Sequence, residues 1–209
     1  PLKEYSRPRQ SGINAITIKE GDRLLAVRNT SGQDDIVLAT KYGRAIRFHE
    51  QDVRSMGRTA SGVRGIKLSA ADDFVIGMVC VNTEYQEDLL VVSENGYGKR
   101  SLIEDYRIIN RGGKGVKTLN VTDKTGKLIA IKNVTDEDDL MIITRNGITI
   151  RLSIDQLRRL GRATQGVKLI NLGDVDTIAA VAKVSKSDEE ESEPDSEIET
   201  PDNKEIDSE

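Results

Sequence analysis

The chain has 209 residues, of which 36% are hydrophobic and 3% aromatic, with no Trp and a formal net charge of −4. So lean a composition favours several small sheets over one deep core, and no apolar run approaches the ~20 residues that a membrane span needs. The single Cys80 excludes an internal disulfide and a cysteine-rich metal site, so we expect a cytoplasmic location without membrane association.

Two anchors recur along the chain with a step of about fifty residues. A hairpin glycine follows a short apolar run at Gly43, Gly96 and Gly147, with steps of 53 and 51 residues. A second glycine, followed by Val or Ile, keeps the same phase at Gly12, Gly62, Gly115 and Gly166. The chain therefore holds three full units preceded by the rear part of another, about three and a half in all.

The elements of each unit follow one order. The opening partial unit contains two predicted strands, 13–18 and 23–28. Each full unit then begins with a β-branched apolar run, at 36–40, 89–93 and 140–144. A hairpin and a short helical turn or loop come next, the latter at 50–55, 103–106 and 154–160. Two more strands complete the unit, an alternating one at 63–68, 116–121 and 167–172 and a last one at 74–81, 127–134 and 176–184.

The hairpins carry a specific turn signal. Asn95-Gly96 and Asn146-Gly147 favour type I′ turns, in which both central residues adopt positive φ. Four strands in about fifty residues, repeated, predict an all-β, propeller-like fold with four-stranded blades over residues 1–184.

The end of the chain differs sharply in charge. Residues 188–209 contain 12 acidic residues and one Lys, a net charge of −11, so residues 1–187 carry +7. We expect 185–209 to be an acidic, disordered tail. Such a tail either solubilises the protein or competes with a polyanion for the basic body.

No catalytic set is visible in the sequence. His49 is the only His, so neither a Ser-His-Asp nor a Cys-His arrangement can form. The acid pairs Asp34-Asp35, Asp72-Asp73 and Asp138-Asp139 recur near predicted turns, which favours turn formation over acid–base chemistry. We therefore expect no catalytic residue, no metal site and no cofactor in this segment.

The segment Arg111-Gly112-Gly113-Lys114-Gly115 has two interpretations. Three glycines in four residues allow close backbone approach, so its N–H groups could form an anion-binding nest. The alternative is a flexible connection between strands. No helix pattern follows it, so it is not a nucleotide-binding fingerprint.

Basic residues also recur in phase with the repeat. They fall four residues after each hairpin glycine, two after each later glycine and four before it. A stripe of matching cations can follow a phosphate backbone without reading bases, whereas the alternative is an ordinary solvated surface. The candidate DNA-binding residues are Arg44, Arg47, Arg58, Arg64, Lys99, Arg100, Arg111, Lys114, Lys117, Arg151, Arg162 and Lys168.

Three motifs carry a resemblance to a known family. Gly57-Arg58-Thr59-Ala60-Ser61-Gly62-Val63-Arg64-Gly65-Ile66, Glu94-Asn95-Gly96-Tyr97-Gly98-Lys99-Arg100 and Gly161-Arg162-Ala163-Thr164-Gln165-Gly166-Val167 resemble the C-terminal domain of DNA gyrase A. The resemblance implies a β-pinwheel, a propeller relative with its own strand order, of which the last blades are present. Asn110–Gly115 resembles the end of the family's signature box but lacks its Gln-Arg start.

The resemblance implies a function without catalysis in this segment. Duplex DNA would be bound and bent around the perimeter, in support of ATP-dependent negative supercoiling by a type IIA topoisomerase. A catalytic Tyr and the contact with the gyrase B protein would belong to an N-terminal part of a longer protein. The alternatives are the equivalent domain of topoisomerase IV, which decatenates, and a propeller-like protein-interaction scaffold.

Overall fold

The computed structural model describes residues 2–7, 9–82, 84–173 and 175–185. Eleven strands are present in these ranges: β1 (Asp35–Thr40), β2 (Arg44–His49), β3 (Val75–Val81), β4 (Asp88–Ser93), β5 (Tyr97–Leu102), β6 (Val116–Lys117), β7 (Leu128–Val134), β8 (Asp138–Thr144), β9 (Thr149–Ser153), β10 (Val167–Lys168) and β11 (Ile178–Ser185). The helical elements are short 3₁₀ turns at Leu2–Tyr5, Glu50–Asp52, Ile103–Asp105 and Ile154–Gln156. The all-β prediction is confirmed.

The strands form three antiparallel sheets, one for each full unit. Their orders are β3-β1-β2-β6, β10-β5-β4-β7 and β11-β8-β9. β3 and β7 contact each other, which places them at the centre, and β6 and β10 lie at the opposite, outer edges.

The fourth strand of a sheet comes from the next unit. β6 pairs Val116 with Ala45 of the first sheet, and β10 pairs Val167 with Gly98 of the second. The expectation that each unit supplies its own four strands is therefore wrong in detail. The third sheet has three strands in the described ranges, because the unit that would supply a fourth is not among them.

Three predicted strands in the first 68 residues are not strands in the structure. Segments 13–18, 23–28 and 63–68 have no regular secondary structure and no sheet pairing, and apart from the buried Ile66 they are largely exposed. Segments 23–28 and 63–68 correspond to the inner and outer strands of a sheet whose hairpin is not among the described residues, so they have no partner here. Without a ladder, isolated main-chain hydrogen bonds remain, such as that from Lys67 N to Gly113 O at 2.8 Å, and the other backbone groups are left to water.

The hairpins are also not type I′ turns. Positive φ occurs only at glycines in the described ranges, with Gly43 at +74°, Gly96 at +82° and Gly147 at +86°, so Asn95 and Asn146 keep negative φ. Three residues join β4 to β5, and the Gly96 N–H donates to Ser93 O at 3.1 Å. This is a type I turn closed by a left-handed glycine, as three-residue hairpin loops commonly are.

The apolar core lies between successive sheets. Val37, Val79 and Leu89 belong to a cluster between the first and second sheets. Leu90 and Ile142 belong to an equivalent cluster between the second and third. Because each sheet buries one face against each neighbour, its strands read as continuous apolar runs.

The predicted tail falls almost wholly outside the described residues. β11 continues to Ser185, one residue past the predicted boundary, and 186–209 are not described. In the ranges that are, no helix has the length and hydropathy needed to cross a membrane.

Candidate nucleic-acid interface

A buried acid–arginine pair recurs in every sheet. Asp35, Asp88 and Asp139 lie at the start of β1, β4 and β8, and an arginine stands twelve residues later in each hairpin. The Arg47 Nε lies 2.7 Å from the Asp35 carboxylate, and the Arg151 Nε lies 2.6 Å from that of Asp139. Asp35 and Asp88 are almost completely buried, so each needs a cationic partner in place of water.

These arginines also join one sheet to the next. Arg47 Nη1 donates to the carbonyl oxygens of Ile103, at 2.9 Å, and Tyr106, at 3.3 Å, around the 3₁₀ turn of the second unit. Arg100 donates in the same way to Leu157 O beside the 3₁₀ turn of the third unit. Each guanidinium therefore holds the short helical turn of the next unit through its carbonyl groups, and at Ile103 O it adds to the bond from Tyr106 N at 3.0 Å.

The expectation that Arg47 and Arg100 lie on an exposed perimeter is corrected. They are 9% and 6% exposed, and their donors are directed into the protein. Arg151 keeps the acid partner but its side chain is 41% exposed, since no further sheet covers it in the described part. The position shared by Arg47, Arg100 and Arg151 therefore serves mainly to hold the sheets together.

Lys99 is corrected in the same way. It is 1% exposed, and its Nζ donates to Gly161 O at 2.6 Å and Thr164 Oγ1 at 3.2 Å. Burial lowers its pKa to about 8, with Asp105 acting in the opposite direction and Arg162 adding to the lowering. Its counterparts one repeat away, Ile46 and Ile150, are apolar.

The remaining candidates lie at or near the outer edge. Arg44 is half-buried, with its Nη1 3.5 Å from Gly115 O. Arg58, Arg111 and Arg162 are also half-buried, and each donates to a backbone carbonyl of another unit. The exposed candidates are Arg64, Lys114, Lys117 and Lys168.

The chain passes from each unit to the outer edge of the preceding sheet through what we call a crossover segment. The three crossover segments, taken over equivalent positions of the repeat, are 54–67, 107–120 and 158–171. In the second, Ile109 N donates to Arg47 O at 2.9 Å before β6 pairs with the same strand, β2. In the third, Leu160 N donates to Arg100 O at 2.9 Å before β10 pairs with β5.

The charge of the crossover segments is uniform. Each contains four Lys or Arg residues and no Asp or Glu. Arg159 is tied to Asp88 at 2.8 Å, but most of the others reach solvent. The outer edge is consequently a band of positive charge, although the protein as a whole is acidic.

Sequence reasoning missed one in-phase series in these segments. Arg54, Arg107 and Arg158 are separated by 53 and 51 residues, are exposed, and make no side-chain hydrogen bond or ion pair with any described residue. The repeat spacing alone could have found them. It could not distinguish them from Arg47 and Arg100, because burial is not encoded in spacing.

The glycine-rich loop is explained by packing. Gly115 has φ +68°, and a Cβ there would lie 2.3 Å from Ala45 O. Gly112 N–H donates to Gly65 O at 2.7 Å, so it is not available to an anion. The glycines let the crossover segment approach β2, and Lys114 presents an exposed cation beside them.

The residues considered for chemistry have structural partners. His49 Nδ1 lies 2.5 Å from Asp35 Oδ1 at the end of β2. Asp73 accepts the N–H groups of Ser69 and Tyr42, which is a turn role. Among the described residues, no three His, Cys, Asp or Glu side chains are grouped to hold a metal ion.

Comparison with known sequences gives one consistent result. The sequence model of a family described as "DNA gyrase C-terminal domain, beta-propeller" matches residues 1–31, 34–82, 87–135 and 138–185. The A subunit of DNA gyrase from Staphylococcus aureus strain MRSA252 is 45% identical over 192 residues, 92% of this chain and 22% of that protein. The protein from strain NCTC 8325 is 46% identical over 190 residues, 91% of this chain and 21% of that one. The chain spans about a fifth of the length of these curated relatives.

Solved structures show the same fold. The C-terminal domain of a DNA topoisomerase IV superposes with a TM-score of 0.81 at 22% identity, over 88% of this chain and 57% of that one. A DNA gyrase A C-terminal domain superposes with a TM-score of 0.73 at 25% identity, over 83% and 58% of the two chains. The family matches also follow the sheets, since 34–82, 87–135 and 138–185 each contain the three longer strands of one of them.

Proposed function

The chain belongs to the DNA gyrase C-terminal domain family, and from this premise we propose that it binds duplex DNA along its outer edge and bends it. The observation that supports this is the uniform charge of the crossover segments, with four cations and no acid in the segment of each of three successive units. Cations spaced along a curved surface attract the phosphate backbone, and the curvature determines the path of the duplex.

The composition of the band favours backbone contacts over base reading. Its charged groups are Arg and Lys on loops and short edge strands, and the described residues contain no α-helix that could enter a major groove. Aromatic residues are scarce, so stacking on single-stranded bases is not favoured. The expected ligand is therefore duplex DNA of mixed sequence.

In a whole enzyme, this binding would present a bent segment of DNA for strand passage. We propose that the segment itself supplies no catalytic group and no cofactor. ATP-driven negative supercoiling, partnership with the gyrase B protein and a cytoplasmic location would belong to the longer protein. Sequence identity near 45% with gyrase A favours gyrase over topoisomerase IV. The topoisomerase IV domain is 22% identical, and its likeness is one of fold alone.

The proposal is tested by measuring duplex binding as salt is varied. A surface that contacts 6–10 phosphates should lose roughly 10³–10⁵ in affinity between about 50 and 200 mM salt. Lys117→Gln should lower the slope of log K against log salt by about one. The control Arg145→Gln removes an exposed cation at a hairpin tip and should leave the slope unchanged.

Two results would reject the proposal. One is an affinity that barely responds to salt. The other is an equal effect of Lys117→Gln and Arg145→Gln, which would indicate general charge attraction without a defined path. Absence of DNA binding altogether would favour the protein-interaction scaffold.

A further inference from the structure

Three arginines at the same repeat position link a crossover segment to the equivalent stretch of the chain one unit earlier. Arg58 Nη1 donates to Asn14 O at 3.1 Å, Arg111 Nη1 to Arg64 O at 2.5 Å, and Arg162 Nη1 to Lys117 O at 2.9 Å. The three acceptors are also equivalent, since each lies two residues after the glycine of its unit. We call Arg58, Arg111 and Arg162 the clasp arginines.

Main-chain hydrogen bonds accompany each clasp. Beside Arg111, Gly112 N donates to Gly65 O at 2.7 Å and Lys67 N to Gly113 O at 2.8 Å. Beside Arg162, Asn120 N donates to Thr164 O at 3.0 Å, and beside Arg58, Thr17 N donates to Ala60 O at 3.2 Å. The outer edge is thus a continuous ribbon in which every segment is joined to the one before it.

The clasps act on the residues proposed to contact DNA. Arg111 and Arg162 bind the carbonyl groups of Arg64 and Lys117, whose own side chains are exposed cations. A change in a clasp therefore shifts the phosphate contacts of one segment relative to those of the next. The core reaches this joint from its inner side, where Ile66 and Ile109 pack with Ile46, and Val116 packs on the cluster between the first two sheets.

We propose that Arg58, Arg111 and Arg162 are positioning residues that fix the step between successive DNA-contacting segments and so set the angle through which bound DNA bends. This inference rests on the proposed function. Bending a duplex costs elastic energy, so a joint that yields allows the duplex to straighten while its phosphates stay bound. A variant that loosens a clasp should therefore lower the bend angle of the DNA without changing the salt dependence of binding.

Two variants in the second crossover segment distinguish the effect of the clasp hydrogen bonds from the effect of positive charge. Arg111→Lys keeps the positive charge, but a single ammonium cannot reproduce the two contacts that Arg111 makes, through Nη1 to Arg64 O and through Nε to Asp52 O at 3.3 Å. Arg107→Met removes a charge from the same segment and leaves the clasp intact, because Arg107 has no side-chain partner in the described part.

The bend is read by energy transfer between dyes at the two ends of a duplex. With Arg111→Lys, the mean bend should fall by on the order of a third, as one joint of three loosens, while the salt slope stays that of the unaltered chain. With Arg107→Met, the slope should fall by about one and the bend should stay. Arg162→Lys repeats the test at the next joint if Arg111→Lys folds poorly.

A second measurement needs no DNA. Amide exchange at Lys67, whose N–H bonds across the Arg111 joint, should speed up in Arg111→Lys by about tenfold, whereas Asn120 at the Arg162 joint should not change. An unchanged bend in both lysine variants, or an equal loss of bend in Arg107→Met, overturns the inference. Failure of the unaltered chain to bind DNA would instead reject the proposed function.

Discussion

At the scale of single residues, position in the repeat does not determine role. Arg47, Arg100 and Arg151 share one position, yet two are buried and one is largely exposed. Lys99 differs more strongly, because its counterparts are isoleucines and its ammonium is buried without a carboxylate in contact. A buried cation of this kind carries a desolvation cost.

Lys99→Ile should therefore stabilise the fold at neutral pH. The folded pKa of Lys99 is about 8 against an ordinary 10.5, so between these values the unfolded chain binds more protons. Stability of the unaltered chain should consequently rise as pH increases through this window, and the cost is fully present below pH 8. We expect the variant to gain about 1–2 kcal/mol at pH 7 and to lack this rise.

Urea unfolding of both proteins at pH 7 and pH 9.5 measures the difference. Gly161 O keeps donors from Thr164 N and Oγ1 in the variant, so the loss of the Lys99 ammonium should leave no unsatisfied carbonyl. Equal pH dependence in the two proteins would show that Lys99 is not the titrating group.

At the scale of elements, the pairing of the outer strands that come from the next unit depends on a glycine. β6 and β10 have only two residues each, and both follow a glycine of positive φ that lies against the neighbouring strand. A Cβ at Gly115 would lie 2.3 Å from Ala45 O, and one at Gly166 would lie 2.4 Å from Gly98 O. No side chain fits without displacing the strand.

Gly115→Ala should accordingly detach β6 from β2. We expect a loss of about 2–3 kcal/mol in the free energy of unfolding, from backbone strain and steric overlap. The matched control is Gly161→Ala, since a Cβ there meets nothing within 4 Å and its φ is not positive. Thermal unfolding compares the two, and equal stability would mean that β6 contributes little to the first sheet.

At the scale of the whole molecule, charge is divided along the chain. Residues 1–187 carry +7 and residues 188–209 carry −11. The positive part includes the crossover segments, so we expect the acidic part to compete with DNA for the same band by electrostatic attraction.

Deleting residues 188–209 should tighten DNA binding at low salt. We expect roughly a tenfold gain that shrinks as salt rises, because screening weakens both attractions. A binding titration of the two chains at several salt concentrations measures it. Equal affinity with poorer solubility of the shortened chain would indicate a solubilising role alone.

Much of the fold could be predicted because its signals are local. Short apolar runs marked β1, β4 and β8, and glycines marked the turns that follow them. The turn type was predicted wrongly, since the Asn-Gly pairs are compatible with two hairpin geometries. The strands 13–18, 23–28 and 63–68 were also predicted wrongly. A strand needs a partner, and the hairpin that 23–28 and 63–68 would pair with is not among the described residues.

By itself, the sequence determined the number of units, the approximate places of their strands and the phase in which cations recur. These follow from backbone geometry and side-chain alternation over a few neighbouring residues. Only the tertiary structure decided that a fourth strand comes from the next unit, that Arg47 and Arg100 are buried, and that Arg54, Arg107 and Arg158 face solvent. Burial and pairing depend on contacts with segments about fifty residues away, and a local pattern does not show which of these segments will be in contact.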